Sequence, residues 1–449
     1  MKINLLLIIF LPSIIESGHT KEEWRTRAVY QIITDRFSND DSSRVNCDLS
    51  KYCGGTYKGI TKNLDYIQGM GFDAIWISPI IENTQDSYHG YHLTNLYKFN
   101  NHFGTEFDLI NLIKECHKRD IWVMLDVVAN HVGPIGNDFS RITPFNKKEC
   151  YHDDCEINNW NDQWQVENCR LSGLPDLKQE HPYVKNKLIE WIHDIILKFD
   201  LDGIRIDTVP EVPKWFWTEF TKAAGVFQIG EVFNGNIDYV SQYQNHMDSV
   251  FNYPLYYQIK NSFCGDMRNI ENYLYNMRNK YPHPEYIGTF VENHDNARFI
   301  NMCNSRKKFK NALIFSIFFE GIPFVYYGGE QYFGGGSDPY NREVLWHNFD
   351  TNIDMYKALG AANKVRKEKK IWEKPFVQRY SDDVFYAFTR GDVLVCVTRG
   401  ESCSRKLNYH GFSNGSKLCD ALNTYDCVYV ENNEIQINMG EDPKVYVKM

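Results

Sequence analysis

Eight short runs rich in Val, Ile, Phe and Tyr recur along the chain, at 28–34, 73–78, 122–128, 203–207, 227–232, 249–253, 286–291 and 323–327. Amphipathic stretches with helical spacing lie between most of them, at 60–70, 107–119, 182–199, 215–224, 267–280 and 309–320. Strands that alternate with helices pair in parallel, because each crossover returns the chain to the same end of the sheet. Eight such units predict an α/β chain built on a closed (β/α)8 TIM barrel. Two stretches break the rhythm. Residues 132–181 follow the third strand without a helix and are polar, aromatic and cysteine-bearing, which predicts an inserted subdomain. Beyond Trp372 the helical pattern stops, and 384–389, 393–398 and 434–439 alternate as strands. The expected layout is therefore a barrel over 18–131 and 182–372, an insertion at 132–181 and a C-terminal antiparallel β-sandwich domain at 373–449.

The extreme N-terminus reads as a leader rather than as fold. Lys2 is a short positive region, an apolar stretch runs from Ile3 to Ile15, and the small residues Ser17 and Gly18 follow. That is the pattern of a signal peptide over 1–17, and it is too short to span a bilayer. Export to an extracellular or digestive compartment is expected, with no membrane association of the mature chain. Twelve cysteines agree with an oxidising compartment. Cys47 with Cys53, and Cys155 with Cys169, each flank a polar loop and are expected pairs, whereas Cys116 lies in a helical pattern and reads as a buried free thiol. Cys403, Cys419 and Cys427 are expected to staple the C-terminal region, their connectivity open. Asn414 begins a sequon in a polar turn and is a candidate glycan site.

Composition narrows the ligand. A hydrophobic content of 43% excludes a disordered chain, and a net charge of −9 with no basic run longer than Arg306 to Lys308 offers no footprint for nucleic acid. On a TIM barrel the chemistry sits at the C-terminal ends of the strands. Those ends carry Asp126, Asn130, His131, Arg205, Asp207, Glu231, Glu292, His294 and Asp295. Period-2 alternation in the run 203–207 puts Ile204 and Ile206 on one face and Arg205 and Asp207 on the other, toward the barrel mouth. Taken singly, Asp207 could be an ordinary capping acid and Glu231 a solvated strand-end carboxylate. Gathered on one rim of one barrel, the charges point to a site.

Four segments in chain order carry a resemblance: Asp126-Val-Val-Ala-Asn130-His131, Gly203-Ile-Arg-Ile-Asp207, Ile229-Gly-Glu231-Val and Phe290-Val-Glu-Asn-His294-Asp295. Together with Tyr88-His-Gly-Tyr91, Leu174-Pro-Asp-Leu177 and Asp338-Pro-Tyr-Asn-Arg342, they resemble the signature regions of the α-amylase family of glycoside hydrolases, specifically its secreted fungal-type members. The likeness runs from Trp24 to about Trp346 and is weak beyond. It implies retaining endo-hydrolysis of α-1,4-glucans of the starch or glycogen type by a monomer. Such a route takes one carboxylate as nucleophile and a second carboxyl as proton donor, ~5 Å apart. The resemblance assigns these roles to Asp207 and Glu231, with Asp295 as the third carboxylate that distorts the sugar. Arg205 would supply the counter-charge an ionised nucleophile needs, and Glu231, near two anions, is expected to have its pKa raised.

By the same resemblance His89, His131 and His294 hydrogen-bond sugar hydroxyls, and Tyr91 stacks on the first sugar of the non-reducing side. Asp338 and Arg342 grip further out on that side. A structural Ca2+ is implied, held by Asn130, Glu167, Asp176 and the backbone carbonyl of Glu211, hard oxygen donors that suit this cation. No Lys or Arg occurs from Gly321 to Tyr332, so chloride dependence is not expected. Two departures stand out. Pro210-Glu211 replaces a Lys-His pair on the leaving-group side, and His92 stands where a tryptophan is usual. Pro210-Glu211 keeps open an α-glucosidase or transglycosylase acting on short maltooligosaccharides; an inactive carbohydrate-binding member is a further alternative, since folds outlive their chemistry, and intact Asp207, Glu231 and Asp295 argue against it.

Overall fold

The computed structural model describes residues 18–41, 43 and 46–449. The leader expected over 1–17 lies outside them. The strands are β1 (Val29–Gln31), β2 (Ala74–Ile77), a hairpin of β3 (Ile81–Asn83) and β4 (Leu93–Phe99), β5 (Trp122–Val127), β6 (Gly203–Ile206), β7 (Phe227–Gly230), β8 (Ser249–Val250), β9 (Gly288–Thr289) and β10 (Ile322–Tyr326). Eight of them form one parallel sheet in the order β8-β7-β6-β5-β2-β1-β10-β9. A parallel bridge between Phe251 and Gly288 joins its two edges, and the Asn252 N–H donates to the Gly288 carbonyl at 2.9 Å. The sheet is thus a closed TIM barrel.

Local chemistry sets the helices between the strands. Thr105 and Asp108 form a reciprocal capping box at the start of helix Glu106–His117. Pro182 opens the helix Pro182–Phe199, whose last turn ends at Asp200 in the left-handed conformation. Gly225, also left-handed, ends Lys214–Ala224. The helical stretch expected over 60–70 is instead two short helices, Tyr57–Lys62 and Leu64–Gly69, broken at Asn63, whose side chain donates to the Gly59 carbonyl. Tyr253 does not continue its strand. The Asn252 side chain caps the Leu255 N–H and Pro254 follows, so a helix Tyr253–Phe263 starts there. Likewise 286–291 is strand only at β9, after a 3-10 turn at Pro284–Tyr286.

Two apolar layers hold the barrel. Side chains on the outer face of the sheet pack with the helices, and an inner cluster that includes Trp76, Met124, Phe227, Ile229, Phe251 and Phe324 fills the lumen. Phe251 meets Phe324 edge-on at 4.8 Å, a favoured aromatic geometry. Emptying such a position, as in Phe324→Ala, costs about 3–5 kcal/mol. The lumen is therefore closed below, and the polar strand ends can face only the mouth.

After helix Asp354–Glu368 come β11 (Phe376–Ser381), β12 (Phe385–Arg390), β13 (Val393–Thr398), β14 (Cys403–Leu407), β15 (Lys417–Asp420), β16 (Cys427–Glu431), β17 (Glu434–Met439) and β18 (Lys444–Lys448). They form an antiparallel sheet in the order β11-β12-β13-β18-β15-β16-β17-β14. Phe385, Leu394, Leu407, Leu418, Ile435 and Tyr446 share a core of their own, so distant strands of this sheet pack face to face.

Cys47–Cys53 and Cys155–Cys169 are disulfides, as expected, and Cys116 is a buried free thiol. Two further bridges join Cys264 to Cys303 and Cys419 to Cys427. Cys403 was expected to take part in the C-terminal staple, but Cys419 and Cys427 face each other across β15 and β16 and leave it free.

Candidate active site

β5, β6 and β7 lie side by side, and each delivers a charged residue to the mouth from its end. Arg205, on β6, is 1% exposed. Its Nη1 donates to Asp207 Oδ1 at 2.6 Å and to Asp126 Oδ1 at 2.9 Å, while Nη2 lies 2.9 Å from Glu231 Oε2. One guanidinium thus holds three carboxyl groups, and its fork geometry sets Asp207 and Glu231 beside each other on adjacent nitrogens.

Glu231 is buried and receives two further donors. The Thr208 N–H reaches Oε2 at 3.2 Å and the Tyr253 hydroxyl reaches Oε1 at 3.1 Å. Thr208 sits at φ 45°, a left-handed conformation that a β-branched residue rarely adopts and that costs about 1–3 kcal/mol. Burial, more than the neighbouring anions Asp207 and Asp295, pushes the Glu231 carboxyl well above its ordinary range; Arg205 opposes the shift without cancelling it. The direction agrees with the sequence-based expectation, but the leading cause is desolvation.

A second chain of hydrogen bonds crosses the mouth. Gln31 Nε2 donates to His294 Nδ1 at 2.7 Å, so the imidazole proton is on Nε2, which faces the Tyr91 hydroxyl at 2.8 Å. Tyr91 in turn donates to Asp126 Oδ2 at 2.7 Å, an oxygen that also accepts from Trp76 Nε1 at 3.0 Å. Burial lowers the pKa of both His294 and His89 well below the usual imidazole value, so both are neutral donors. The Tyr91 ring lies between them, nearly parallel to His294 at 8° and to His89 at 18°.

Asp295 is the most open of the three expected catalytic acids, its side chain 31% exposed. His294 Nε2 stands 3.2 Å from its Oδ2 and Arg342 Nη2 3.4 Å from its Oδ1. Arg342 also pairs with Asp338 at 3.1 Å and donates to the Tyr88 hydroxyl. Glu292 takes no part. Its carboxylate turns away to Arg298 at 2.9 Å and to the Phe299 N–H.

The insertion is tied to the end of β5 by the Leu177 N–H, which donates to the Asn130 carbonyl at 2.8 Å. Here His131 Nε2 meets the Tyr91 carbonyl at 3.1 Å and must donate to it. Its Nδ1, in the neutral ring, then accepts, and the Asn130 amide nitrogen supplies the proton at 3.2 Å. That turns the Asn130 amide oxygen onto Asp176 Oδ1 at 2.8 Å and the Glu211 carbonyl at 3.2 Å. In this orientation three oxygens converge, a set that a hard cation would bridge; with the amide turned over, its nitrogen donates to Asp176 and to the Glu211 carbonyl instead. His152 braces Asp176 from behind at 2.5 Å. The Glu167 carboxylate accepts from Gln163, which also donates to the Pro210 carbonyl at 3.0 Å.

Asp126, Gln31, Trp76, Tyr253, Asn293 and His152 belong to the site without having been singled out for a role. Gln31 and Trp76 stand at the ends of β1 and β2, where a rule of scrutinising every strand end would have found them.

Comparison with known proteins agrees with this geometry. Residues 31–382 match the family described as Alpha amylase, catalytic domain. The alpha-amylase of Saccharomycopsis fibuligera is 37% identical over 95% of this chain and 92% of its own length. Alpha-amylase 2 of Schizosaccharomyces pombe is 41% identical over 92% of this chain and 74% of its own. The structure of an alpha-amylase from Malbranchea cinnamomea superimposes with a TM-score of 0.92 at 38% identity, covering 96% of this chain and 98% of that one. With the carboxyl cluster at the mouth of a closed barrel and relatives that span nearly the whole sequence, the chain belongs to the alpha-amylase family of glycoside hydrolases.

Proposed function

We propose that this protein is an endo-acting α-amylase that cleaves α-1,4 bonds of starch-type glucans with retention of configuration. The observation that carries the mechanism is Arg205 holding Asp207 and Glu231 on adjacent nitrogens. Asp207, charge-compensated by that guanidinium, is the nucleophile that attacks the anomeric carbon. Glu231, kept protonated by burial, gives its proton to the leaving oxygen as the glycosidic bond breaks. It then takes a proton from the water that hydrolyses the glycosyl-enzyme. Asp295, within reach of His294 and Arg342, binds the sugar hydroxyls and favours the distorted, oxocarbenium-like ring. His89, whose Nδ1 accepts from the Tyr91 N–H, keeps its Nε2 proton for a sugar hydroxyl, whereas His131 and His294 have both ring nitrogens engaged and act by positioning Asn130 and Tyr91.

Asn130, Asp176 and the Glu211 carbonyl would hold Ca2+, with Glu167 as a neighbouring acid. The ion would fasten the insertion to the end of β5 and would leave the proton transfers to the protein's own carboxyl groups. Four disulfides support action in an oxidising, extracellular setting. Among the described residues no helix is long and apolar enough to cross a membrane.

Transfer to a second sugar is a competing outcome at the same site, and one observation favours it. Phe233, 50% exposed, packs on Tyr253 at 4.6 Å beside Glu231, while Glu211 is buried. An exposed apolar face thus stands close to Glu231, and the Lys-His pair usual on the leaving-group side is replaced by Pro210 and Glu211. A time course of products from soluble starch and from maltotriose decides. Rapid loss of iodine stain with mixed oligosaccharides supports the amylase; products longer than maltotriose from maltotriose would reveal transfer.

A further inference from the structure

At the end of the barrel opposite the mouth, a cavity of about 450 Å3 lies between the barrel and the C-terminal domain. Arg25 reaches it from the segment before β1, Glu320 from the segment before β10, and Arg278 from the last turn of helix Asn269–Lys280. Lys374 comes from the link into β11 and Arg390 from the last position of β12. The eight parallel strands run from this end toward the mouth, so the cavity shares no wall with the catalytic site.

The charges around this space do not balance. Each acid of the wall already faces a basic partner: Glu320 meets Arg278 at 2.8 Å, Glu373 meets Lys370 at 3.9 Å and Glu285 meets His283 at 3.4 Å. Arg25 has Glu22 at 3.0 Å. Among the described residues, Lys374, Arg390 and the nearby Arg366 make no ion pair. Arg390, 4% exposed, is held by carbonyls alone, donating from Nε to Lys374, from Nη1 to Phe318 and Phe319, and from Nη2 to Ile371. Arg366, 2% exposed, lies 5.7 Å over the ring of Trp372 in the cavity wall and donates from Nη2 to the Arg25 carbonyl at 2.8 Å. Its Nε and Nη1 are buried without a partner, and so is Nε of Arg25. Burial and the neighbouring arginines lower the pKa of Arg366 to about 9 and of Arg390 to about 10, which Asp73 and Glu320 offset only in part.

Buried cations are costly unless an anion pairs with them. We infer that this cavity is a binding site for a divalent tetrahedral oxyanion, of the sulfate or phosphate type, that bridges the barrel to the C-terminal domain. Guanidinium groups present N–H donors in a planar fork that matches the oxygens of such an ion, and an ammonium adds a compact charge. Donors remain for it on the wall: the second N–H of Arg390 Nη2, the Arg25 Nε and the uncommitted ammonium of Lys374. The volume admits the ion together with water. Because both domains meet at the site only in the folded chain, the ion stabilises their junction by mass action and leaves hydrolysis at the far end of the barrel unchanged.

The test is a calorimetric titration of the protein with sodium sulfate, at an ionic strength held constant with sodium chloride and with Ca2+ present throughout. The wild-type protein should take up one sulfate per chain in a saturable step. Its melting temperature should rise by about 2–5 °C at about a hundredfold excess over the Kd. Lys374→Gln removes a half-buried cation that has no partner within the chain, so the melting temperature without sulfate should hold. In that variant the sulfate Kd should rise about tenfold, while starch is hydrolysed at the wild-type rate. Nitrate, planar and monovalent, should give no saturable step. Absence of saturable sulfate binding in the wild-type protein overturns the inference whatever the variant does. A sulfate Kd and melting shift unchanged in Lys374→Gln overturn it as well, and nitrate binding equal to that of sulfate overturns the assignment to a divalent tetrahedral ion.

Discussion

Tyr253 donates its hydroxyl proton to Glu231 Oε1 at 3.1 Å, and Asn293 fixes that direction by donating to the tyrosine oxygen at 2.8 Å. A hydrogen bond given to a carboxylate favours its charged form. The bond thus works against burial and restrains how far the proton donor's pKa rises. Replacing Tyr253 by Phe removes the restraint and keeps the ring. The alkaline limb of kcat/KM, which reports loss of the Glu231 proton, should move to higher pH by about 0.4–1 unit. A limb that stays in place or moves down in a pH–rate profile would separate Tyr253 from the proton donor.

Glu231 itself gives a sharper test. Because burial raises its pKa, the acid remains protonated past the pH at which an exposed glutamic acid has ionised, and activity fades only as pH climbs through the raised value. Glu231→Gln keeps the volume and the Tyr253 contact but has no proton to give. Starch hydrolysis should fall by at least ~10^3-fold, with the melting temperature nearly unchanged. Turnover within tenfold of wild type would reject Glu231 as the general acid.

Much of this site could be read before any coordinates. Alternation along 203–207 put Arg205 and Asp207 on one face, and they meet at 2.6 Å. Strand ends on one barrel rim located Glu231, His294 and Asp295. What escaped was whatever depends on contacts between distant segments. Nothing local says that Asp126 and Glu231 both end on Arg205, or that Cys264 finds Cys303 across 39 residues. Tyr253 was hidden for a different reason. An apolar run into Phe251 reads as a strand that continues, whereas the Asn252 cap and Pro254 start a helix that swings the tyrosine over Glu231. Sequence spacing also missed the role of His131 in orienting Asn130, since that follows from the Tyr91 carbonyl lying 3.1 Å from its Nε2.

Arg205 should be the least replaceable residue of the mouth. Arg205→Ala leaves Asp126, Asp207 and Glu231 facing one another in a buried space without their common cation. Breaking such a pair costs about 3–5 kcal/mol, and here three acids lose one partner. Lysine restores charge but not the two-nitrogen fork, so Arg205→Lys should recover stability more than activity. Thermal melts and starch assays of both variants check this; equal recovery of the two properties would count against the fork as the positioning device.

The oxygen cluster at Asn130 makes a prediction about stability that does not pass through catalysis. If Ca2+ is held there, it binds the folded state alone and stabilises it by mass action, by about 2.7 kcal/mol at a free concentration one hundred times its Kd. Chelation should lower the melting temperature, and added Ca2+ should restore it better than Mg2+, which demands a tighter octahedral shell. Cys155–Cys169 closes a loop of the same insertion with a separation of 14 residues, and its removal is worth about 2–4 kcal/mol. Cys155→Ser with Cys169→Ser should therefore lower the melting temperature and loosen the walls that carry Asp176. In that variant more Ca2+ should be needed for half-maximal protection. A melting temperature that ignores both chelator and Ca2+ in the wild-type protein would show that the three oxygens are satisfied by the Asn130 amide turned the other way.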